Sequence, residues 1–145
     1  MSWVRVWVHL VFSTKGNYPF LNSNELRSKV YKHIKENSEL KDIWLDTVSG
    51  YQEHIHCLVS LGKDQTISKV AQLIKGESSF WINRNNLIKS KFFWQDDYWA
   101  VGVSESQVEN VRKYIGDQEV HHRKKTFNEE VENFISIYGG GKIKS

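Results

Sequence analysis

The stretch Glu53-His54-Ile55-His56-Cys57-Leu58-Val59-Ser60-Leu61 decides how the chain is read. It reads as a strand, and side chains of a strand alternate between faces. His54, His56, Leu58 and Ser60 share one face; Ile55, Cys57, Val59 and Leu61 share the other, which is apolar throughout. A sheet with a sound core face and two imidazoles on its opposite face is a candidate metal site.

Outward from this strand, which the pattern runs from Tyr51 to Leu61, Ser49 and Gly50 predict a turn and Ile43 to Val48 a preceding strand. Gly62-Lys63-Asp64-Gln65 is a turn, after which Thr66 opens a helix carrying Ile67, Val70, Ala71, Ile74 and Trp81 on one face. Gly76 in that helix costs about 1 kcal/mol against Ala. Either a close contact explains it or it is a tolerated weak spot.

The first strand spans Trp3 to Ser13, with Val4, Val6, Val8, Leu10 and Phe12 alternating against Trp3, Arg5, Trp7, His9 and Val11. A loop over Lys15 to Phe20 leads to a helix capped by Asn22 or Ser23, in which Leu26, Val30, Tyr31 and Ile34 repeat through about Asn37. Phe92-Phe93-Trp94 and Tyr98 to Ser104 are strand-like. Ser104 with Gln107 has the spacing of a capping box, opening a helix through Val108, Val111, Tyr114, Ile115 and Gln118 towards His122. A final helix is expected from Thr126 to Tyr138, before Gly139-Gly140-Gly141 and a loose tail. This order, strand–helix–strand–strand–helix–strand, predicts an α+β, ferredoxin-like (RRM-like) sandwich with two added C-terminal helices. The first and third strands should be central and antiparallel. The face carrying Trp7, His9, His54 and His56 then needs a cover, from the C-terminal part or from a second subunit.

The 145 residues suit one domain, with no interdomain linker or internal repeat. A net charge of +3 permits an acidic partner without demanding one. The single Cys57 excludes an intrachain disulfide, no apolar run approaches a membrane span, and the first residues lack the layout of a signal peptide. A cytoplasmic location is the simplest expectation.

Three readings of His54 and His56 compete: packed histidines without a metal, a structural zinc site, and a catalytic divalent site. Zinc has little support, because Cys57 points to the opposite face and no CxxC occurs. A catalytic site needs a further ligand and a reactive group. The helix after Ser104 offers both, since Tyr114 and Gln118 are four residues apart and project from one side. From spacing alone, Tyr114 is equally an amphipathic residue at a packing margin.

Together these residues resemble the HUH single-tyrosine transposases of the smallest bacterial insertion sequences. The resemblance covers most of the chain: Val11-Phe12-Ser13-Thr14-Lys15, His54-Ile55-His56-Cys57-Leu58-Val59, Ile67-Ser68-Lys69 to Leu73-Ile74-Lys75-Gly76, and Phe93-Trp94-Gln95. The block from Val103-Ser104-Glu105-Ser106 through Tyr114-Ile115-Gly116-Asp117-Gln118 to His121-His122-Arg123-Lys124-Lys125-Thr126-Phe127 is its most specific part. Glu53 stands where that family usually has Asp, and Gly116 sits unusually between the Tyr and the Gln.

The resemblance implies Tyr114 as a nucleophile forming a 5′-phosphotyrosine bond, His54, His56 and Gln118 as ligands of magnesium or manganese, and residues 1–145 as one catalytic domain. The ligand set by itself would also tolerate zinc. It further implies single-stranded DNA folded into hairpins at transposon ends, and a homodimer in which the Tyr helix of one subunit can complete the other's site. A bacterial protein of this kind would be nucleoid-associated when bound to DNA. Lys69, Lys75, Arg112, Lys113, Arg123, Lys124 and Lys125 are candidate phosphate contacts. Arg123 to Lys125 read equally as a solvated connector; His122 falls on the buried stripe, and His121 could touch metal, phosphate or solvent. Two rivals stand beside the transposase: a noncatalytic single-stranded nucleic-acid-binding module on an RRM-like sheet, and a hydrolytic metal-dependent nuclease.

Overall fold

The computed structural model describes residues 1–118, together with Glu129 and Glu132. Its elements in chain order are β1 (Val6–Ser13), α1 (Asn24–Leu40), β2 (Trp44–Gly50), β3 (His54–Leu61), α2 (Ile67–Arg84), β4 (Trp99–Val103) and α3 (Val108–Gly116). Among the described residues up to 118 this is an α+β fold with a four-stranded antiparallel sheet and three α-helices. The sheet order β2-β3-β1-β4 makes β1 and β3 central neighbours, and they run antiparallel as expected. Two of the helix starts that the sequence marks carry their caps: Ser23 Oγ accepts from the Leu26 amide and Thr66 Oγ1 from the Lys69 amide.

The register of β1 on β3 sorts the two faces. Val8, Leu10 and Phe12 pair with Val59, Cys57 and Ile55, and α1 and α2 bury this side with Val30, Ile34, Val70 and Ile74. Trp7, His9, Val11 and Ser13 pair with Ser60, Leu58, His56 and His54 on the other side. There α3 of the same chain supplies the cover, packing Val108, Val111 and Ile115 against Trp7, Leu58 and Val103. β1 is therefore a central strand whose histidine face is covered by α3 of its own chain. Cys57 is fully buried, which pushes its thiol up to about 12.

Several boundaries differ from the sequence expectation for physical reasons. β1 begins at Val6, leaving Trp3 and Val4 exposed. Ser49 and Gly50 pair with His56 and Ile55 inside the β2–β3 ladder, and the chain turns over residues 51–53 instead. In residues 92–94 only Trp94 pairs, through a single bridge to Thr14. Ser104 makes no capping bond; its hydroxyl meets Ser106 Oγ, and residues Glu105–Gln107 form a 3-10 turn before α3. α3 stops at Gly116, with Asp117 closing it through its amide to the Lys113 carbonyl. Of the last expected helix only Glu129 and Glu132 are described, both helical; the rest of it and the tail from 139 lie outside the described residues.

Two glycines behave oppositely. A Cβ on Gly50 would lie 2.1 Å from the His54 carbonyl oxygen and 2.9 Å from Ile55 Cα, both backbone. Gly50 thus holds the backbone of the histidine strand at its observed distance. A Cβ on Gly76 would meet nothing within 4 Å, so no close contact accounts for that residue. Gly50→Ala should lower thermal stability by about 1–3 kcal/mol through overpacking, whereas Gly76→Ala should raise it by about 0.5–1 kcal/mol. Parallel thermal melts of the two variants check the contrast.

Candidate active site

His54 and His56 sit at the first and third positions of β3 and are both buried. Their rings lie 4.9 Å apart, centroid to centroid. α3 brings Tyr114 to this pair, half-buried at the margin the spacing suggested, with its ring 5.7 Å from that of His56 and 6.0 Å from that of His9. Two residues past the end of α3, Gln118 is wholly buried. Its Nε2 donates to the Tyr114 carbonyl at 3.1 Å, which aims Oε1 at His54 Nε2, also at 3.1 Å. The structure therefore brings together all four residues singled out as nucleophile and ligands, and it does so within one chain.

Two partners of the pair carry no mark of their role in the sequence. Glu53 Oε1 lies 2.9 Å from His54 Nδ1, so this carboxylate holds the ring with Nε2 turned towards Gln118. His9 Nε2 lies 2.8 Å from His56 Nδ1, one nitrogen donating and the other accepting. The strand phase already puts His9 on the histidine face. Its bond to His56 depends on the register, which makes His9 the diagonal neighbour of His56 across β1 and β3.

The spacing of His54 and Gln118 suits a divalent ion. Two cis ligands of an octahedral ion at about 2.1 Å would lie about 3 Å apart, and the His54 Nε2–Gln118 Oε1 separation is 3.1 Å. Among the described residues no group of three His, Cys, Asp or Glu is arranged to hold an ion; here the third donor is an amide oxygen. Hydrogen bonds at the outer nitrogens of both rings are the arrangement that fixes metal-ligating histidines.

The basic candidates are not gathered in one place. Lys69 is exposed on α2, behind the opposite sheet face. Lys75, also on α2, donates to the Asp96 carbonyl at 2.8 Å and lies 5.8 Å from the Tyr98 ring centroid; burial lowers its pKa. Lys113 is exposed on α3. Arg112 is held by Asp46, with Nε and Nη2 each 2.8 Å from a carboxylate oxygen, and it also meets Glu109. Arg123, Lys124 and Lys125, like His121 and His122, lie outside the described residues.

Asp46 reaches Arg112 because β2 carries a bulge. The register shifts between Leu45 and Thr47, so Leu45 pairs with Val59 and Val48 with Cys57, both on the core side. Asp46 is the extra residue, and its side chain clamps α3 to the sheet edge.

A half-buried tyrosine and three buried histidines thus meet on one face of an antiparallel sheet in an α+β protein. The family described as "Transposase IS200 like" matches residues 2–118, and the chain belongs to that family of DNA-processing enzymes. Two solved structures share the fold. A candidate transposase from Deinococcus radiodurans R1 is 18% identical, with 79% of this chain and 91% of that chain covered at a TM-score of 0.63. A REP-associated tyrosine transposase bound to a REP hairpin is 16% identical, with 100% and 92% covered at a TM-score of 0.62. Among curated proteins no sequence matches significantly. No helix among the described residues is long and apolar enough to cross a membrane.

The Asp46–Arg112 pair makes the docking of α3 depend on pH. The hydrogen bonds from Arg112 hold the Asp46 carboxyl below its ordinary value of 3.8. A depressed folded pKa means stability that is complete above the unfolded value and lost as pH falls through the folded one. Asp46→Asn should therefore be less stable than the wild type at neutral pH, and the two should converge as pH drops below 3.8. Denaturant melts from pH 7 downward test this, and 1 M salt should narrow the neutral gap.

Proposed function

We propose that the chain is a metal-dependent DNA strand transferase of ferredoxin-like topology, one catalytic domain over residues 1–145, acting on single-stranded DNA at transposon-end hairpins. The observation that carries this reading is the convergence of Tyr114 and Gln118 on the His54–His56 pair from a separate helix. Tyr114 Oη is the nucleophile. It loses its proton and forms a bond to the scissile phosphorus as the P–O3′ bond breaks, and the leaving oxygen takes up a proton as a free 3′-hydroxyl. The phosphate stays on the enzyme as a 5′-phosphotyrosine ester, so its bond energy is retained for rejoining to another 3′-end without a nucleotide cofactor.

His54, His56 and Gln118 would hold magnesium or manganese, His56 through the ring nitrogen opposite its bond to His9. When bound, the ion supplies polarisation of the scissile phosphate and neutralises charge on it. An unperturbed phenol has a pKa near ~10, so attack at neutral pH calls for such assistance. Glu53 and His9 set the ring orientations. They are positioning residues, since neither touches the phosphate. Two neutral imidazoles and an amide add no negative charge, which suits a site built to receive a polyanion.

Lys69, Lys75, Arg112, Lys113, Arg123, Lys124 and Lys125 are proposed to neutralise DNA phosphates, with Arg112 sharing its guanidinium with Asp46. A bacterial cytoplasmic homodimer is the assembly we favour. Because Tyr114 meets the His pair within one chain, each subunit of that dimer has the residues for cleavage in cis.

The decisive experiment incubates the protein with single-stranded hairpin DNA and Mn²⁺ and resolves products on a denaturing gel. A covalent protein–DNA adduct is expected from the wild type and none from Tyr114→Phe. Cleavage persisting in Tyr114→Phe would identify a hydrolytic nuclease instead, and binding without cleavage the noncatalytic module. The positioning residues have their own readout. Glu53→Ala and His9→Ala should each weaken Mn²⁺ binding by about 10–100-fold in calorimetry, the usual cost of losing a ligand's hydrogen-bond partner.

A further inference from the structure

Phe93 is an exposed aromatic in a segment that is otherwise anchored. Its neighbours Phe92 and Trp94 are buried, at 0% and 6% exposure, while Phe93 is 46% exposed. Asn83 grips Phe92 twice, donating to its carbonyl and accepting from its amide at 2.9 and 2.7 Å. Trp94 donates from Nε1 to the buried Ser78 Oγ at 2.9 Å. The Phe93 carbonyl itself accepts from the Lys15 amide at 3.1 Å. Strand-like alternation on such a frame turns the Phe93 ring outward and keeps its backbone in place.

Two ammonium groups attend this ring. Lys15 Nζ lies 5.6 Å and Lys91 Nζ 5.2 Å from its centroid. An isolated exposed phenylalanine needs no explanation. One held rigidly between two lysines has the composition of a site where a base stacks and its phosphates are neutralised.

The position of the ring adds to this. Ser13 pairs with His54, the Thr14 amide donates to the Glu53 carbonyl at 2.8 Å, and Thr14 bridges to Trp94. The bond from the Lys15 amide to the Phe93 carbonyl belongs to this bridge, so Lys15 is two residues, about 7 Å, along the chain from Ser13. Beyond Phe93 a cleft of about 300 Å³ opens between α2 and the 93–98 segment, with Gln72, Lys75, Gly76 and Gln95 in its walls. Gly76 leaves space there that no protein atom fills. Gln72 there carries an amide able to read a base edge, while Gln95 Oε1 accepts from the Gly16 amide and Lys75 donates to the Asp96 carbonyl.

We propose that Phe93, with Lys15 and Lys91, is a stacking platform for an unpaired nucleotide of the single strand flanking the scissile phosphate. This rests on the reading of His54, His56 and Tyr114 as a DNA-cleaving centre and names how that centre holds its substrate outside the hairpin stem. A base laid on Phe93 takes the place of one ammonium against the ring, and that ammonium turns to the adjoining phosphate.

Binding is measured by fluorescence anisotropy in the Tyr114→Phe background, so that no cleavage intervenes, with a hairpin bearing a single-stranded flank and the same hairpin made blunt. Removing one stacking partner should weaken binding of the flanked hairpin about 5- to 150-fold in Phe93→Ala. The blunt hairpin should be unaffected, and Phe93→Tyr should restore the flanked affinity, which a merely structural loss would not allow. Lys15→Gln or Lys91→Gln should each reduce the slope of log K against log salt by about 0.7, one phosphate contact on a single strand. Equal affinity of the unsubstituted background for both hairpins, or an unchanged flanked-to-blunt ratio in Phe93→Ala, overturns the platform. The cleavage reading fails separately: it is lost if the wild type forms no adduct, even where Phe93→Ala abolishes the preference for the flank.

Discussion

The antiparallel register of β1 on β3 is the constraint on which everything else in this protein depends. It sets Val8, Leu10 and Phe12 opposite Val59, Cys57 and Ile55 on one face and leaves Trp7, His9, His56 and His54 on the other. A slip of one residue would exchange the faces, burying imidazoles in the α1–α2 core and turning Ile55 and Cys57 towards α3. The apolar face makes such a slip prohibitive, so the chemistry of the histidine face is held in place by packing it takes no part in. Gly50 adds a local lock, since only a residue without Cβ lets β2 approach the His54 carbonyl so closely.

How far this was legible in the sequence follows from which signals are local. Alternation in β1 and β3, the apolar stripes of the helices and the caps at Ser23 and Thr66 are all short-range patterns, and they define the elements, the central strand pair and the face that His54 and His56 use. The resemblance to tyrosine transposases singled out Tyr114 and Gln118, and α3 brings both to the pair. What could not be read depends on register or on competition between partners. The bulge at Asp46 is invisible because a strand pattern presumes strict alternation, whereas here Leu45 and Val48 share a face. Ser104 and Gln107 have the capping-box spacing, yet Glu105 instead engages Trp7 and Arg5, and a 3-10 turn forms where the helix was expected. Glu53 and His9 act through ring nitrogens whose direction only the folded strand pair defines.

Four buried polar side chains, His9, His54, His56 and Gln118, would be a heavy desolvation cost if they stood apart. They are bonded in two groups instead: His9 to His56 across one strand pair, and Glu53 to His54 to Gln118 to the Tyr114 carbonyl, with the His54 and His56 rings in edge contact between them. Within each group one member orients the next, and burial is tolerated because such bonds strengthen at low local dielectric. The same connectivity makes the end of α3 part of the site. Gln118 binds back to the backbone of Tyr114, so the residue that faces His54 also ties down the turn that presents the phenol.

Stability and chemistry are divided along the length of α3. Its first turns lay Val108 and Val111 over Trp7 and Leu58, at the end of the sheet where β1 begins, and Arg112 clamps the edge through Asp46. Its last turn carries Tyr114, then Gln118 beyond the Asp117 cap, over the end where β3 begins with His54. The apolar stripe therefore ends at Ile115, where the polar network takes over. Because β1 and β3 are antiparallel, the end of β1 nearest the network runs on through Thr14 into Lys15 and towards Phe93, while its apolar end starts at Val6. One strand pairing thus separates an apolar seam that holds the tyrosine helix down from a polar end where that helix meets the histidines.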